Sequence, residues 1–227
     1  RILFMIDDSG STLTTDPDKN YRVATIQKFI QDYGGNSNLS YTFGYFSGTT
    51  AQEFDVLQSK FVGGVASNPV GDSGQLSTAL LTYEAHTSSG NTPYKAAFNS
   101  LTDTVIADEN SGARQDYVVV FMSDGQPTDI SGSSNLNGLV TSLKTAAAGN
   151  GSNLLLSTVY FGDENDSKSI SNLTGMAQSG GGQFVDTNRL AQGGLLVNDM
   201  ISSPCCKPAR SGASKSLAPP VGSIPRA

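Results

Sequence analysis

"DYVVVFMSDG", residues 116–125, is an apolar run that ends abruptly in Ser123, Asp124 and Gly125. Val118 to Met122 are five consecutive apolar residues, which leaves no polar face. Such a strand is buried on both sides, as strands of a parallel sheet covered by helices are. "FMIDDSGSTLTTD" (4–16) repeats the arrangement near the start of the chain: the apolar run 2–6 empties into Asp7, Asp8, Ser9, Gly10, Ser11 and Thr12. "LLLSTVYFG" (154–162) reads as a third buried strand. In open α/β sheets, ligands bind outside the carboxyl ends of the strands, near the point where the strand order reverses. Asp7 and Asp124 both fall at that edge.

Between these strands the apolar spacing changes to that of helices. Val23, Ile26, Phe29, Ile30 and Tyr33 recur on one helical face before Gly34-Gly35, with Pro17 near the start. Leu76, Leu80, Leu81 and Tyr83 form another helix, interrupted by "TSSGNTP" (87–93). Tyr94, Ala97, Phe98, Leu101 and Val105 form the next. Leu136, Leu139, Val140 and Leu143 precede "AAAGNG", and Ile170, Leu173 and Met176 precede Gly180-Gly181-Gly182, read as a turn. "LSYTFGYFS" (39–47) and "QFVD" (183–186) are strands, "AQEFDVL" (51–57) is a short edge strand, and 63–74 is loop-like. Leu190, Leu195, Leu196, Met200 and Ile201 indicate a last helix. The alternation predicts one α/β domain over residues 1–203, with a mostly parallel sheet and helices on both faces. Residues 204–227, rich in Pro, Ser and Ala, read as a tail or linker.

Composition narrows the functions. The 227 residues suffice for a sizeable core, carry a net charge of −6 and are only 15% charged, so the surface is largely Ser, Thr, Asn, Gln and Gly. No basic run offers a nucleic-acid footprint, and no apolar run is long enough to span a bilayer. No signal peptide is visible at a chain that begins inside a strand, which reads as a fragment or processed product, anchored if at all through other segments. The surface composition points to an extracytoplasmic, cell-surface or secreted protein. Cys205 and Cys206 are adjacent; a bond between them closes a strained ring, so surface thiols or partners elsewhere remain open.

Asp7-x-Ser9-x-Ser11 aims alternate oxygen-bearing side chains from a strand end, with Gly10 allowing a tight bend. Such hard oxygen donors suit Mg²⁺ or Mn²⁺, or Ca²⁺ in a roomier site, rather than Zn²⁺ or copper. Taken alone, the stretch serves equally as a helix N-cap. The other loops tip the balance. "SGNTPY" places Thr92 at the mouth of a helix, and "SDGQPTD" places Asp124 after a buried strand. Ser9, Ser11 and Thr92 are the expected direct ligands, with Asp7 and Asp124 binding directly or through water.

These three motifs, in this order, resemble the von Willebrand factor type A domain, the integrin I-domain family, whose metal-ion-dependent adhesion site reads Asp-x-Ser-x-Ser, then Thr, then Asp. "LTGMAQSGGGQFVDT" is also similar to that family's penultimate helix and last strand. The resemblance covers about residues 2 to 203. It implies a Rossmann-like sheet, divalent-cation binding, and a protein ligand that presents an Asp or Glu to the metal; that the chain is no enzyme is expected separately, because no base–nucleophile pair can be assembled around the single His86. It further implies a shift of the last helix, about 190–203 and weakened by Gly193-Gly194, on ligand binding. Some members of the family act as scaffolds in multiprotein assemblies without metal-dependent adhesion. Asp8 occupies a position that is variable in the family; it either enriches the charge of the site or points into solvent, and solvent is the expected placement. Asp16 and Asp18 are read as helix N-terminal charges.

Enzymatic rivals are weaker. Asp8-Ser9-Gly10 and Asp72-Ser73-Gly74 resemble the paired triplets of aspartic proteases, but the second follows no apolar strand and the element order is wrong for an all-β enzyme. "GDSG" (71–74) resembles a serine-protease nucleophile stretch, yet the single histidine, His86, reads as a helix-surface residue. No phosphate-binding glycine fingerprint is present.

Overall fold

The computed structural model describes residues 1–64, 69–112 and 114–189. The expected last helix, the tail and both cysteines lie outside the described residues.

Three apolar runs build the centre of the sheet: β1 (Ile2–Asp7), β5 (Tyr117–Ser123) and β6 (Leu154–Tyr160). With β2 (Tyr41–Ser47), β3 (Thr50–Asp55), β4 (Lys60–Gly63) and β7 (Gly181–Asp186) they form one seven-stranded sheet in the order β4-β3-β2-β1-β5-β6-β7. The five strands from β2 to β7 in that order pair in parallel, whereas β3 and β4 are antiparallel additions beyond β2. β3 is therefore an interior strand and β4 is the edge, a correction to the sequence reading. β4 contributes only Phe61 and Val62 as large apolar residues, too few for a period-2 pattern to show.

The helices are α1 (Thr12–Thr15), α2 (Asn20–Tyr33), α3 (Ser73–Glu84), α4 (Tyr94–Asn110), α5 (Ser133–Ala148) and α6 (Ser167–Gly180). Alternation along β1 divides the core between them. Phe4 and Ile6 point to the face covered by α2 and α3, where Ile26, Phe29, Leu80 and Tyr83 pack. Leu3 and Met5 point to the opposite face, among Phe98, Leu101, Val140 and Leu173 of α4, α5 and α6. Leu81, grouped in the sequence with the apolar face of α3, is instead 66% exposed. Leu76, Leu80 and Tyr83 follow the i, i+4, i+7 stripe, and Leu81 lies about 100° around the helix from Leu80.

Two local expectations change. Helix α2 starts at Asn20, after Lys19 in a left-handed conformation, so Pro17 precedes the helix by three residues. The Gly180–Gly182 run is a close approach as well as a turn: Gly181 caps α6 at φ +74°, and a Cβ on Gly182 would lie 2.2 Å from the Leu156 carbonyl oxygen. Glycine lets the chain return directly from α6 into β7 against β6.

Candidate functional site

β1 and β5 are neighbours, and the chain leaves β1 towards β2 on the other side. The strand order thus reverses between β1 and β5, which opens a crevice at their carboxyl ends. Asp7 closes β1, and Ser123 and Asp124 close β5 at that crevice.

Asp7 is fully buried. Its carboxylate accepts from the Ser9 amide at 2.9 Å and from the Ser123 hydroxyl. The Ser9 and Ser11 hydroxyl oxygens lie 3.1 Å apart, and Ser11 Oγ donates to Asp124 Oδ1 at 3.0 Å. Thr15, from α1, donates to the other Asp124 oxygen at 2.6 Å. Asp7, Ser9, Ser11 and Asp124 are thereby brought into one continuous cluster, while Ser11 remains exposed to solvent.

Thr92 stands at the start of α4 in a neighbouring loop. The Gly10 amide donates to the Gly90 carbonyl at 2.9 Å, which binds this loop to the first. Thr92 itself is held by its main chain: its amide donates to Thr128 Oγ1 at 3.2 Å, and its carbonyl accepts from the Thr128 amide at 2.9 Å. Thr92 as a residue is 6% exposed.

The electrostatics are those of an uncompensated pair. Burial pushes the Asp7 carboxyl up from the ordinary carboxylate range, and the nearby charge of Asp124 adds to the rise; hydrogen bonds from Ser123 and Ser9 oppose it. Burial also raises Asp124, against hydrogen bonds from Thr15 and Ser11 and the more distant Arg22. Neither acid has a Lys or Arg ion-pair partner among the described residues. Two buried acids whose proton affinity burial raises, set among the hydroxyls of Ser9, Ser11, Thr15 and Ser123 with no ion-pair cation among the described residues, are oxygen donors of the kind a hard divalent cation takes.

Asp8 does not face solvent, contrary to expectation. Its side chain is fully buried on the other face of the sheet, against Arg22 Nη1 at 3.0 Å, Tyr83 Oη at 3.0 Å, His86 Nδ1 at 2.6 Å and Ser88 Oγ at 2.7 Å. The period-2 alternation that carries Phe4 and Ile6 to this face carries Asp8 there too. His86 lies beyond the end of α3 rather than on its surface, and stacks on Tyr45 with ring centroids 4.6 Å apart. Asp16 accepts from the amides of Tyr21 and Arg22 in the first turn of α2, as expected of a helix-terminal acid, but is also buried in an ion pair with Arg22. Asp18 is exposed.

Ser123, Thr15 and Arg22 were not singled out in the sequence. Arg22 was legible in principle, since Arg22, Ile26 and Phe29 share one helical stripe, so the arginine had to be buried. The second protease triplet is a helix cap: Asp72 accepts from the Gln75 amide at 3.0 Å and Gln75 returns the bond to the Asp72 amide. The helices that alternate with the strands and cover both faces of the sheet exclude the all-β protease architecture.

No family model and no curated protein matches the sequence. Solved structures do match in fold. The SpRpn10 VWA domain superposes with a TM-score of 0.52 at 15% identity, covering 82% of this chain and 86% of that one. The pilus adhesin SpaC from Lactobacillus rhamnosus GG, in its open conformation, also gives a TM-score of 0.52, at 13% identity, covering 82% of this chain and 27% of the adhesin. The strand order, the helices on both faces and these two superpositions together establish that the chain has the von Willebrand factor A-like fold.

Proposed function

We propose that the chain is a metal-dependent protein-binding domain that engages an acidic residue of a partner through a divalent cation, Mg²⁺ or alternatively Mn²⁺ or Ca²⁺. The observation that carries this reading is the buried Asp7–Asp124 pair, surrounded by hydroxyls and without a Lys or Arg ion-pair partner among the described residues. Burying like charges is costly unless something of opposite sign joins them. Ser9, Ser11 and Thr92 would hold the ion directly, with Asp7 and Asp124 direct or through water. A cation bound there supplies a positive, partly open coordination position to which a carboxylate is drawn. The protein's part is to keep the hydroxyls converged and the acids dry: Ser123 holds Asp7, Thr15 holds Asp124, and Thr128 fixes the main chain of Thr92.

No catalytic role is proposed for His86, whose two ring nitrogens are hydrogen-bonded to Asp8 and Tyr45. The likeness to a pilus adhesin and the Ser/Thr/Asn/Gly-rich surface favour an adhesive, extracytoplasmic setting. No described helix is long and apolar enough to cross a membrane.

Isothermal titration of the metal-free domain with Mg²⁺ and Mn²⁺ is the first test, and silence at millimolar metal overturns the reading. A displayed peptide library with one fixed Asp or Glu, panned in Mg²⁺ and in EDTA, is the second. Enrichment that requires Mg²⁺ and disappears in Ser9→Ala is expected. Enrichment that survives EDTA replaces the adhesive reading with a metal-independent scaffold.

A further inference from the structure

One guanidinium touches both ends of the segment that carries the candidate ligands. Arg22 Nη1 donates to the Asp7 carbonyl oxygen at 3.2 Å and to Asp8 Oδ1 at 3.0 Å, at the segment's start. Arg22 Nη2 donates to the Asp16 carbonyl at 2.8 Å, and Nε to the Asp16 carboxylate at 3.1 Å, at its end. Ser9, Ser11 and Thr15 lie between these anchors. Arg22 is 1% exposed, so the fork is held away from competing water. The planar five-donor fork makes this span possible, because it offers diverging N–H groups from one rigid unit, where an ammonium offers one point.

Asp8 extends the clamp to the second loop. Its carboxylate accepts from Ser88 Oγ at 2.7 Å and meets His86 Nδ1 at 2.6 Å, and its carbonyl accepts from the Ser89 amide at 3.0 Å. Residues 86–90 lead directly to Thr92. Arg22 also reaches Ser88 Oγ, at 3.2 Å, so the same charge pair grips both loops.

We infer that the Arg22–Asp8 pair, with Ser88, positions the two hydroxyl-bearing loops for the metal; Arg22 and Asp8 are positioning residues, acting through Ser9, Ser11 and Thr92. This inference rests on the metal-binding reading above. Its physical basis is preorganisation: a small cation demands closely set oxygens, and partners behind the ligands hold them against thermal spread. The alternation of Asp7 and Asp8 makes the arrangement compact, one acid facing the cluster while its neighbour is tied down behind it.

The test is Mn²⁺ binding to the folded domain, followed by isothermal titration and by the electron paramagnetic resonance of bound Mn²⁺. Asp8→Asn and Arg22→Lys are expected to weaken Mn²⁺ binding by roughly 10- to 100-fold, and Ser88→Ala by several-fold, with broadened Mn²⁺ lines in each. Asp72→Ala, which removes a remote helix cap, serves as a control that lowers the unfolding temperature without changing Mn²⁺ affinity or line shape. Wild-type affinity and line shape in Asp8→Asn and Arg22→Lys overturn the inference while leaving the metal site standing. If circular dichroism shows these two variants unfolded, Ser88→Ala decides, and unchanged binding there overturns the inference. Absence of Mn²⁺ binding by the wild-type domain overturns the metal reading and this inference together.

Discussion

Asp7 and Asp8 are chain neighbours, both buried, and opposite in situation. Asp7 follows Leu3 and Met5 to one face of the sheet and meets only neutral donors and a second acid, Asp124. Asp8 follows Phe4 and Ile6 to the other face and meets a buried guanidinium, two hydroxyls and an imidazole. A carboxylate whose charge the protein neutralises itself is part of the framework. One left without a cation is where a cation from solution gains most. The difference teaches that burial of an acid says little until its partners are counted.

The largest effect should come from removing the internal cation. Arg22→Met strands Asp8 and Asp16 in the interior, and breaking one partner of a buried pair costs about 3–5 kcal/mol. Urea unfolding should report a loss of that order, whereas Asp7→Asn should leave the metal-free domain as stable as the wild type or more so. Equal losses in both variants would erase the distinction between the two acids. Second, Mg²⁺ should stabilise the wild-type domain by about 2.7 kcal/mol at a hundredfold excess over its dissociation constant, or several degrees in unfolding temperature. Differential scanning calorimetry should show no such shift for Asp7→Asn.

Glu53 supplies a third kind of buried acid and a smaller effect. It lies on β3, accepts from Ser100 at 2.7 Å and Thr104 at 2.6 Å, and has no ion-pair partner among the described residues. Burial pushes its carboxyl up to about 7, with hydrogen bonds from the two hydroxyls opposing the rise. The folded state therefore holds a proton that the unfolded chain releases at lower pH. Stability is fully present below the unfolded value, near 4.5, and falls as pH rises towards 7, by at most about 1.4 kcal/mol per pH unit. Glu53→Gln should flatten that part of the stability–pH curve; an unchanged slope would mean that Glu53 is ionised in the fold. The smallest effect concerns the two Asp-Ser-Gly triplets. Asp72→Ala should cost about 1 kcal/mol, the usual loss of an N-cap, with no change in Mg²⁺ binding.

Identical triplets with unlike roles show where sequence reading stops. Asp72 was recognisably not a strand-end acid, because no apolar run precedes it. Asp8 was misread because a residue after a strand can turn to either face, and only the packing of α2 and α3 shows that a pocket of donors waits on one of them. Ser123 and Thr15 were overlooked for a related reason: a lone hydroxyl beside a recognised motif has no pattern of its own. β4 escaped because pairing with β3, rather than its own two apolar residues, makes it a strand.

The sequence by itself determined the α/β layering, since uninterrupted apolar runs alternating with helical stripes have no other economical way to be buried. It also determined which oxygens could meet, because Asp7 and Asp124 each end a strand of that kind. Tertiary structure alone decided the charge balance. Strand order brought Asp124 close to Asp7, where burial raises the proton affinity of both and the charge of Asp124 adds to the rise at Asp7, and the docking of α2 carried Arg22 to Asp8 and Asp16. Hydrogen bonding and Coulomb attraction depend on distances of a few ångströms between residues far apart in the chain, and those distances are set by packing.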